Sequence, residues 1–425
     1  MSHPSLFVLP EHVRDQDYAL ATYYIQLDPS VDVVKKAETM AVGQTVGTWV
    51  PVPGVTDEMR EKHMGRVVNI LDAPPCELST QIGDGLRTYF IQIAYPTVNF
   101  GPQFPMMFTT LLGNDASTSA QVKLVDLQLP EAFLSHFKGP KFGIQGLREL
   151  TGVWDRPLLL NMIKPCTGLT PEAGAKIFYE TALGGVDFIK DDELLANPDF
   201  CPAAKRVKAY NEAAKAAYEK TGKETIYICN ITDSSARLKD TLSAVLEAGA
   251  KAVMLCFSTV GYSTFRAISE QIPIPVMGHY AASGISNEGL NSGLGSHLSI
   301  GKFPRMAGAD LVMMNTPYGG YPLTRQQYFK TAHQLSLPCC HLKPTMPICG
   351  GGVHPGMVQR FIDDFGTDII LAAGGAIQGH PQGPAAGVRA MSQAITAALT
   401  HTPLTTAATH HPELKTALDL FSPTP

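Results

Sequence analysis

Eight short apolar runs alternate with amphipathic helical segments from about residue 156 onward, and this alternation limits the possible fold more than any other feature. Runs of this kind are typical of parallel strands that are buried on both faces. They span Leu158–Lys164, Val186–Asp192, Thr225–Asn230, Ala252–Phe257, Ile274–His279, Ala309–Asn315, Met346–Cys349 and Asp368–Ala373. Eight such strand–helix pairs predict a (β/α)8 barrel. An open doubly wound sheet is the alternative, but no GxGxxG motif follows the first strand.

The first 145 residues lack this alternation. Strand-like runs and two helical segments occur there in irregular order, which predicts an α+β domain with a largely antiparallel sheet. The strand-like runs are Tyr18–Leu27, Val46–Val50, Arg66–Ile70, Tyr89–Tyr95 and Gln121–Leu127, and the helical segments are Val31–Val42 and Pro102–Leu112. We therefore expect an N-terminal domain over residues 1–145, a barrel over 146–400 and a C-terminal tail over 401–425.

Composition narrows the class of protein. The chain has 425 residues, 44% of them hydrophobic, and a formal net charge of -5. Without a long basic run, nucleic acid is an unsuitable partner, and no apolar stretch approaches the roughly 20 residues of a membrane helix. The eight cysteines form no CxxC pair, and the N-terminus carries no export signal. We expect a cytoplasmic protein with reduced thiols that binds neither nucleic acid nor membrane.

The second predicted strand ends in a dense group of charges, Lys190-Asp191-Asp192-Glu193. Alternation along a strand sends Lys190 and Asp192 to the same side, and Glu193 follows where the strand ends. Two carboxylates at a strand end suit Mg²⁺, and the lysine becomes an oxygen ligand if its amine has a lowered pKa and captures CO2 as a carbamate. A salt-bridged cluster without a metal is the alternative.

Other predicted strands also end in polar or glycine residues, at the edge of a barrel where active sites lie. Lys164 follows the first strand, Asn230 ends the third, His279 the fifth and Asn315 the sixth. The last two strands are followed by glycine clusters, whose exposed N–H groups favour phosphate binding. These clusters are Gly350, Gly351 and Gly352, and Gly374 and Gly375.

These motifs together resemble the large chain of RuBisCO over nearly the whole sequence. Ile163–Leu169 resembles the lysine strand of that family, and Gly184–Glu193 resembles its carbamylated-lysine motif. The glycine clusters resemble its phosphate-binding loops. The segment Val46–Trp49 and the pair Gly113-Asn114 resemble parts of the N-terminal domain that contact the partner subunit's site.

The resemblance implies a set of roles. It implies catalytic roles for Lys164, His279 and Asn114, and Mg²⁺ ligands at Lys190 (as a CO2 carbamate), Asp192 and Glu193. It implies substrate contacts, one phosphate among them, at Gly350, Gly351, Gly352, Gly374, Gly375, Thr48, Trp49 and Asn315. It also implies a homodimer or higher homo-oligomer.

Four departures separate the chain from carboxylating RuBisCOs. Cys166 stands where those enzymes have a second lysine, and Tyr280 stands where they have an arginine for a second phosphate. The segment Thr316–Tyr321 has no lysine, and Gly43 falls near the place of a glutamate. The chain therefore resembles the RuBisCO-like (form IV) proteins, which do not fix CO2.

The resemblance leaves the reaction open. The first expectation is C–C cleavage, by decarboxylation, transcarboxylation or hydrolysis, of a phosphorylated 3-oxo sugar acid such as 3-oxo-isoapionate 4-phosphate. A methionine-salvage isomerase or enolase acting on a methylthio-pentulose phosphate is the alternative. The first is preferred because Asn114 stands where those enolases place their proton-abstracting lysine. A non-catalytic sugar-phosphate-binding protein is an alternative of another class.

Overall fold

The structure is a computed structural model and describes residues 6–14, 16–47 and 52–421. The chain divides into two compact units. The first unit comprises the described residues up to Lys138 together with Ser283–Ser299, and the barrel unit comprises Gly139–Ala282 and the described residues from Ile300 onward.

Thirteen strands lie in the described ranges. In chain order they are β1 Tyr18–Leu27, β2 Arg66–Ala73, β3 Arg87–Pro96, β4 Lys123–Gln128, β5 Leu158–Met162, β6 Phe188–Lys190, β7 Ile226–Asn230, β8 Ala252–Cys256, β9 Val276–His279, β10 Gly293–Leu294, β11 Leu311–Asn315, β12 Met346–Gly350 and β13 Ile370–Ala373.

The α-helices vary from single turns to 19 residues. Those of the first unit are Pro10–Val13, Val33–Gly43, Asp57–His63, Phe104–Leu112, Glu131–Leu134 and Gly284–Asn287. Those of the barrel unit are Gly143–Thr151, Pro171–Ala182, Ala203–Thr221, Ser235–Glu247, Phe257–Val260, Tyr262–Gln271, Phe303–Met306, Arg325–Ser336, Val358–Phe365, Gly375–Gln378, Pro384–Leu399, Leu404–His410 and Pro412–Phe421. Short 3-10 or π-helical turns span Ser79–Gln81, Thr97–Asn99, Asp115–Ala120, His297–Lys302 and Pro355–Met357.

The first unit is built on a five-stranded sheet with the order β10-β4-β1-β3-β2. β1 pairs with β3 over its whole length in antiparallel register, and β2 and β4 are also antiparallel to their neighbours. The sequence therefore predicts the mainly antiparallel sheet correctly. It does not predict β10, which pairs in parallel with β4 and comes from a segment beyond β9. Of the predicted strand Val46–Val50, Val46 and Gly47 are not in a strand, and the remainder lies outside the described residues.

The barrel unit contains all eight predicted barrel strands, and each starts and ends within two residues of the predicted bounds. They form a closed parallel barrel in the order β11-β12-β13-β5-β6-β7-β8-β9, which confirms the predicted fold class. Its interior is filled by side chains at alternate positions. These include Leu158, Leu160, Phe188, Ile226, Ile228, Met254, Met277, Leu311, Met313, Met346, Ile348, Ile370 and Ala372.

Beyond the barrel, the helix Pro384–Leu399 contacts the last helix, Pro412–Phe421. Leu414 and Ala417 of that last helix are buried. Arg389 forms an ion pair with Glu413 at 2.9 Å. The described part of the C-terminal tail is therefore helical and packed. None of the helices within the described ranges combines the length and the hydropathy needed to span a bilayer.

Candidate active site at the barrel mouth

The alternation that fills the barrel continues into the residues at its C-terminal edge. Lys190 lies two positions after the core residue Phe188, and His279 lies two positions after Met277. Asn315 and Gly350 continue the same inward positions of β11 and β12. Because alternate residues of a strand share a face, these side chains belong to the interior face at the mouth.

Lys190 is almost fully buried at this edge, with 1% of its surface exposed. Its Nζ atom donates to the Asp191 carbonyl oxygen at 2.8 Å and lies 3.7 Å from Glu193 Oε2. Burial lowers the pKa of Lys190, although the neighbouring Glu193 and Asp192 carboxylates oppose this effect. The structure thus provides the amine with a lowered pKa that carbamate formation requires.

Lys164 lies in the loop that follows β5, two residues beyond the end of the strand. Its Nζ atom is 2.7 Å from Asp192 Oδ2 and 3.0 Å from Cys166 Sγ. Burial alone would lower the pKa of Lys164, but the bonds to Asp192 and Cys166 outweigh it and the pKa is raised. A carboxylate in direct contact with the ammonium thus reverses the effect that burial alone would have on the pKa of Lys164. In return, the lysine helps to keep the pKa of Asp192 below its usual value, against the effect of burial.

Glu193 connects the charged group to the end of β9. Its Oε2 atom lies 3.4 Å from His279 Nε2. Burial, followed by the nearby Lys190, lowers the pKa of His279 well below its usual value, so the imidazole is neutral near pH 7. Asn230, at the end of β7, donates its side-chain amide to the carbonyl oxygens of Asp192 and Glu193, each at 3.3 Å. This amide fixes the backbone that carries both carboxylates.

The sequence does not predict how Asp191 is held. Its carboxylate accepts hydrogen bonds from Arg206, which belongs to the helix Ala203–Thr221 and is itself fully buried. It also accepts from the hydroxyl group of Tyr227 at 2.6 Å and from the N–H of Asn230 at 2.8 Å. The position of Asp191, one residue away from the inward face, is a signal in the sequence that it serves a structural pair.

The glycine clusters lie at the ends of β12 and β13. Gly351 and Gly352 have φ values of +91° and +69°, a region that disfavours other residues. A methyl group at Gly374 would lie 3.5 Å from Cε of Lys164, so the second cluster lies against the lysine stem. At Gly375 such a group would meet nothing within 4 Å, so this backbone is open.

The segment Thr316–Tyr321 lies against the first glycine cluster. A methyl group at Gly319 would lie 2.0 Å from the carbonyl oxygen of Gly351, so the two backbones are in direct contact. At the base of this segment, Asn315 Oδ1 and Thr316 Oγ1 are buried without a hydrogen-bond partner among the described residues. The sequence gives no sign of the contact or of the partnerless atoms.

The remaining predicted residues come from the N-terminal part of the sequence. Asn114 is exposed and, with Gly43 and Gln44, lines a cavity of about 800 Å³ within that unit. Gln44 donates to the Thr110 carbonyl oxygen at 2.8 Å and orders the wall of this cavity. Thr48 and Trp49 lie outside the described residues.

Within the described ranges, no three His, Cys, Asp or Glu side chains are grouped so that they could hold a metal ion. Asp192 and Glu193 supply two carboxylates, and the side chain that accompanies them is the amine of Lys190. A metal site here therefore depends on a further oxygen ligand, which a carbamate on Lys190 would supply.

A parallel barrel whose strand ends present a lysine–carboxylate group and two glycine clusters defines a barrel enzyme of the RuBisCO type. The family models for the ribulose bisphosphate carboxylase large chain match residues 7–133 (N-terminal domain) and 143–421 (catalytic domain). The chain belongs to this family.

Three similar proteins show which members of the family the chain resembles. A ribulose bisphosphate carboxylase-like protein of Archaeoglobus fulgidus is 41% identical over 92% of this chain and 90% of its own length. A 2,3-diketo-5-methylthiopentyl-1-phosphate enolase of Geobacillus kaustophilus is 38% identical over 94% of this chain and 97% of its own. The crystal structure of a RuBisCO-like protein, MtnW, of Alicyclobacillus acidocaldarius is 34% identical, with a TM-score of 0.88 over 96% of this chain and all of the other. RuBisCO-like proteins thus resemble the chain over nearly its full length.

Proposed function

We propose that the protein is a Mg²⁺-dependent, RuBisCO-like isomerase or enolase that moves a proton next to the carbonyl group of a phosphorylated methylthio-pentulose or a close analogue. The observation that carries this proposal is the contact of 2.7 Å between Lys164 Nζ and Asp192 Oδ2. It joins a proton-carrying amine to a carboxylate suited to a hard cation.

The residues at the end of β6 fit a carbamate and a Mg²⁺ ion. Lys190 is buried and has a lowered pKa, and Asp192 and Glu193 are its carboxylate neighbours. Mg²⁺ bound by these three residues would stabilise negative charge that develops on the substrate oxygens. Carbamate formation also replaces a buried amine by an anion that a cation can balance.

Lys164 is proposed to take the proton from the substrate and to return it. Its raised pKa depends on the contacts with Asp192 and Cys166, and loss of the Asp192 contact would shift the balance toward burial, which lowers the pKa. Engagement of Asp192 by another group would therefore favour release of the proton from Lys164. Its position beside Gly374 places the amine next to the glycine cluster proposed to bind the phosphate.

The comparisons favour this alternative over the C–C cleavage that the sequence ranks first. A relative that matches 94% of this chain is named as an enolase of a methylthio-pentyl phosphate. Cleavage of a 3-oxo sugar acid such as 3-oxo-isoapionate 4-phosphate stays the second candidate, because Asn114 occupies the place of the enolase lysine. Net carboxylation is disfavoured, since Thr316–Tyr321 contains no lysine. A non-catalytic sugar-phosphate-binding role would leave the Lys164–Asp192 contact without a purpose.

Deuterium exchange tests the proposal. With Mg²⁺ and bicarbonate in D2O, the enzyme should introduce deuterium into 5-methylthioribulose 1-phosphate or 2,3-diketo-5-methylthiopentyl 1-phosphate, as measured by NMR. Lys164→Met should slow the exchange by about 10²–10⁴-fold, the usual contribution of a general acid–base residue. Lys176→Met, on the exposed side of the helix Pro171–Ala182, is the control.

Two results would refute proton transfer by Lys164. One is undiminished exchange in the Lys164→Met variant. The other is release of CO2 from 3-oxo-isoapionate 4-phosphate by an enzyme that exchanges no deuterium into either pentulose compound, which would establish the cleavage reaction instead.

We also propose that the active form is at least a homodimer, with Asn114 and Thr48 contributing to the partner's site. The cavity beside Asn114 in the first unit supports this, because it leaves the side chain exposed to a ligand or a second chain. Mixing inactive Lys190→Ala with inactive Asn114→Ala chains should restore part of the activity in hybrid dimers. Failure of the mixture to regain activity, or a fully active monomer in sedimentation, would contradict the shared site.

A further inference from the structure

We propose that Cys339 and Cys340 form a redox-active dithiol, which a hydroperoxide oxidises to a disulfide between the neighbouring residues. The two cysteines lie on a turn over residues 339–342, which we call the dithiol turn. It lies between the helix Arg325–Ser336 and strand β12, at the end of the barrel where the strands begin. Active sites of such barrels lie at the opposite end, so this inference is independent of the proposed function.

The backbone of the dithiol turn is the first observation. Cys339 and Leu342 form an isolated antiparallel bridge, in which the Leu342 N–H donates to the Cys339 carbonyl oxygen at 3.0 Å. Cys340 begins the turn with a φ of +45° and is exposed, whereas Cys339 is half-buried. Both residues carry thiols. A peroxide in the solvent can therefore reach Cys340, and a second thiol is available on the preceding residue.

A buried cation in the same loop is the second observation. The Arg305 side chain is 2% exposed, and its guanidinium group donates to four backbone carbonyl oxygens that lie before and after the two cysteines in sequence. These oxygens, 2.7–3.1 Å away, belong to Gln334, Leu337, Leu342 and Lys343. Among the residues that the structure describes, no carboxylate forms an ion pair with Arg305 within 4.0 Å. The loop that carries the thiols is thus held by a buried positive charge whose hydrogen-bond partners are neutral.

This charge acts on both cysteines. Burial lowers the pKa of Arg305, and the nearby Cys339 and Cys340 oppose this effect. A negative charge on either sulfur atom would therefore serve as a countercharge for the guanidinium group. Thiols in partly exposed, electropositive surroundings are the reactive ones in proteins. The same cation would repel a bound metal ion, which favours oxidation chemistry over metal binding at this turn.

The other six cysteines lack this combination of features. Burial raises the pKa of four of them, so these thiols stay protonated as well as inaccessible. They are Cys201, Cys229, Cys256 and Cys349. Cys76 and Cys166 are half-buried, but neither has a cysteine next to it in sequence. A thiol oxidised at either position has no neighbouring thiol with which to react.

The proposed reaction has two steps, with hydrogen peroxide as the oxidant. The Cys340 thiolate attacks the peroxide: a sulfur–oxygen bond forms, the oxygen–oxygen bond breaks, and hydroxide leaves and takes up a proton. The Cys339 thiol then attacks the sulfur of this sulfenic acid, so that a sulfur–sulfur bond forms and water leaves. The sulfur atoms together lose two electrons, and the peroxide is reduced to water. Consecutive Cα atoms are about 3.8 Å apart, less than the usual span of about 4.4–6.8 Å across a disulfide, so a dithiol reductant should reopen this bond.

Mass spectrometry after peroxide treatment tests the dithiol. The reduced full-length enzyme should lose two hydrogen atoms, peptide mapping should place the disulfide between Cys339 and Cys340, and dithiothreitol should restore both thiols. In Cys339→Ser the second step is blocked, so dimedone should label a sulfenic acid at Cys340 at least about tenfold more than at Cys76. Cys76→Ser is the matched control, because it removes a lone, half-buried thiol, and it should form the disulfide as the wild type does.

The role of the cation is tested with two alkylating reagents. Iodoacetate is an anion and iodoacetamide is neutral, so the ratio of their rates at one thiol reports the local charge. At low salt this ratio should be at least about threefold higher at Cys340 than at Cys76, and high salt should reduce the difference. Cys76 is a suitable reference, since its N–H donates to the Asp72 carboxylate at 3.0 Å and a negative charge therefore lies nearby.

Three results would overturn the dithiol. They are oxidation of Cys76 before Cys340, a sulfenic acid that persists in the wild type without forming the disulfide, and a Cys339→Ser variant that dimedone does not label. Equal rate ratios at Cys340 and Cys76 would refute the role of Arg305. Cys339→Ser should exchange deuterium into the pentulose compounds at the wild-type rate, and slower exchange would contradict a site that is independent of the barrel mouth.

Discussion

The two faces of strand β6 and its extension carry charged residues that are held in opposite ways. On the outward side, Asp191 has four hydrogen-bond donors, and its partner Arg206 is fully buried. On the inward side, Lys190 is equally buried but bonds to a single carbonyl oxygen, with Glu193 at 3.7 Å. The side chains of two neighbouring residues thus differ greatly in hydrogen bonding: Asp191 has many partners and Lys190 has very few.

The difference teaches how the fold separates stability from chemistry. A buried charge with every lone pair satisfied is fixed in one protonation state and one position. A buried amine with few partners is destabilised in its charged form, which makes it available for reaction. Alternation along the strand directs Asp191 toward the surrounding helices and Lys190 toward the barrel mouth.

The largest effect is expected on the inward side. Lys190→Met should reduce turnover by at least about a thousandfold, because the proposed Mg²⁺ site would lose a ligand and, with it, several kcal/mol of stabilisation of developing charge. The variant should unfold at the same temperature or higher, since a poorly paired buried amine has been removed. Turnover assays with and without Mg²⁺, and calorimetry of Mg²⁺ binding, measure the change, with the exposed Lys223→Met as control. If the wild-type enzyme kept full activity in EDTA, the inward side of β6 would not hold a metal that the reaction needs.

On the outward side the expected effect is on folding. Asp191→Asn should lower the free energy of unfolding by about 3–5 kcal/mol, because it leaves the buried Arg206 without a countercharge. Urea titrations followed by circular dichroism give the value, and the double variant Asp191→Asn/Arg206→Met should be less unstable than the sum of the single variants. A loss below about 1 kcal/mol would show that the pair is not structural.

The smallest effect is expected at the start of the same outward side. Asp187 accepts two hydrogen bonds of 2.8 Å from Arg156 and one of 2.7 Å from the N–H of Leu159. The Arg156 side chain is 26% exposed, so water can solvate its guanidinium group when Asp187→Asn removes the countercharge. Its cost should be about 1–2 kcal/mol in the same urea titration. If Asp187→Asn lowered the free energy of unfolding as much as Asp191→Asn, the difference in burial between Arg156 and Arg206 would not determine the loss of stability.

Most of the barrel follows from the sequence because strands buried on both faces are almost wholly apolar. That pattern places every barrel strand and identifies Lys190, Asp192 and His279 at the inward edge. The polar ends of β5 and β6 are predicted too long, since Lys164 and Asp192 leave the ladder to contact each other.

Other properties depend on distances that no sequence pattern contains. The pKa of Lys164 is raised by Asp192 Oδ2 at 2.7 Å and by Cys166 Sγ at 3.0 Å, although its burial predicts the opposite direction. The partner of Asp191 comes from a helix 15 residues further along the chain. Strand β10 has two residues, too few for any alternation to show.

Strand β10 also affects how the protein folds while it is being synthesised. Lys123 of β4 donates to the carbonyl oxygen of Gly289, which lies 166 residues further along the chain, and β10 follows directly. At about 5–20 residues per second, a ribosome needs roughly 10–30 seconds to supply that distance. Until then the edge of β4 stays open on the nascent chain, and an open edge is a template for pairing with other chains. We therefore expect the nascent chain to be most prone to such pairing during this interval.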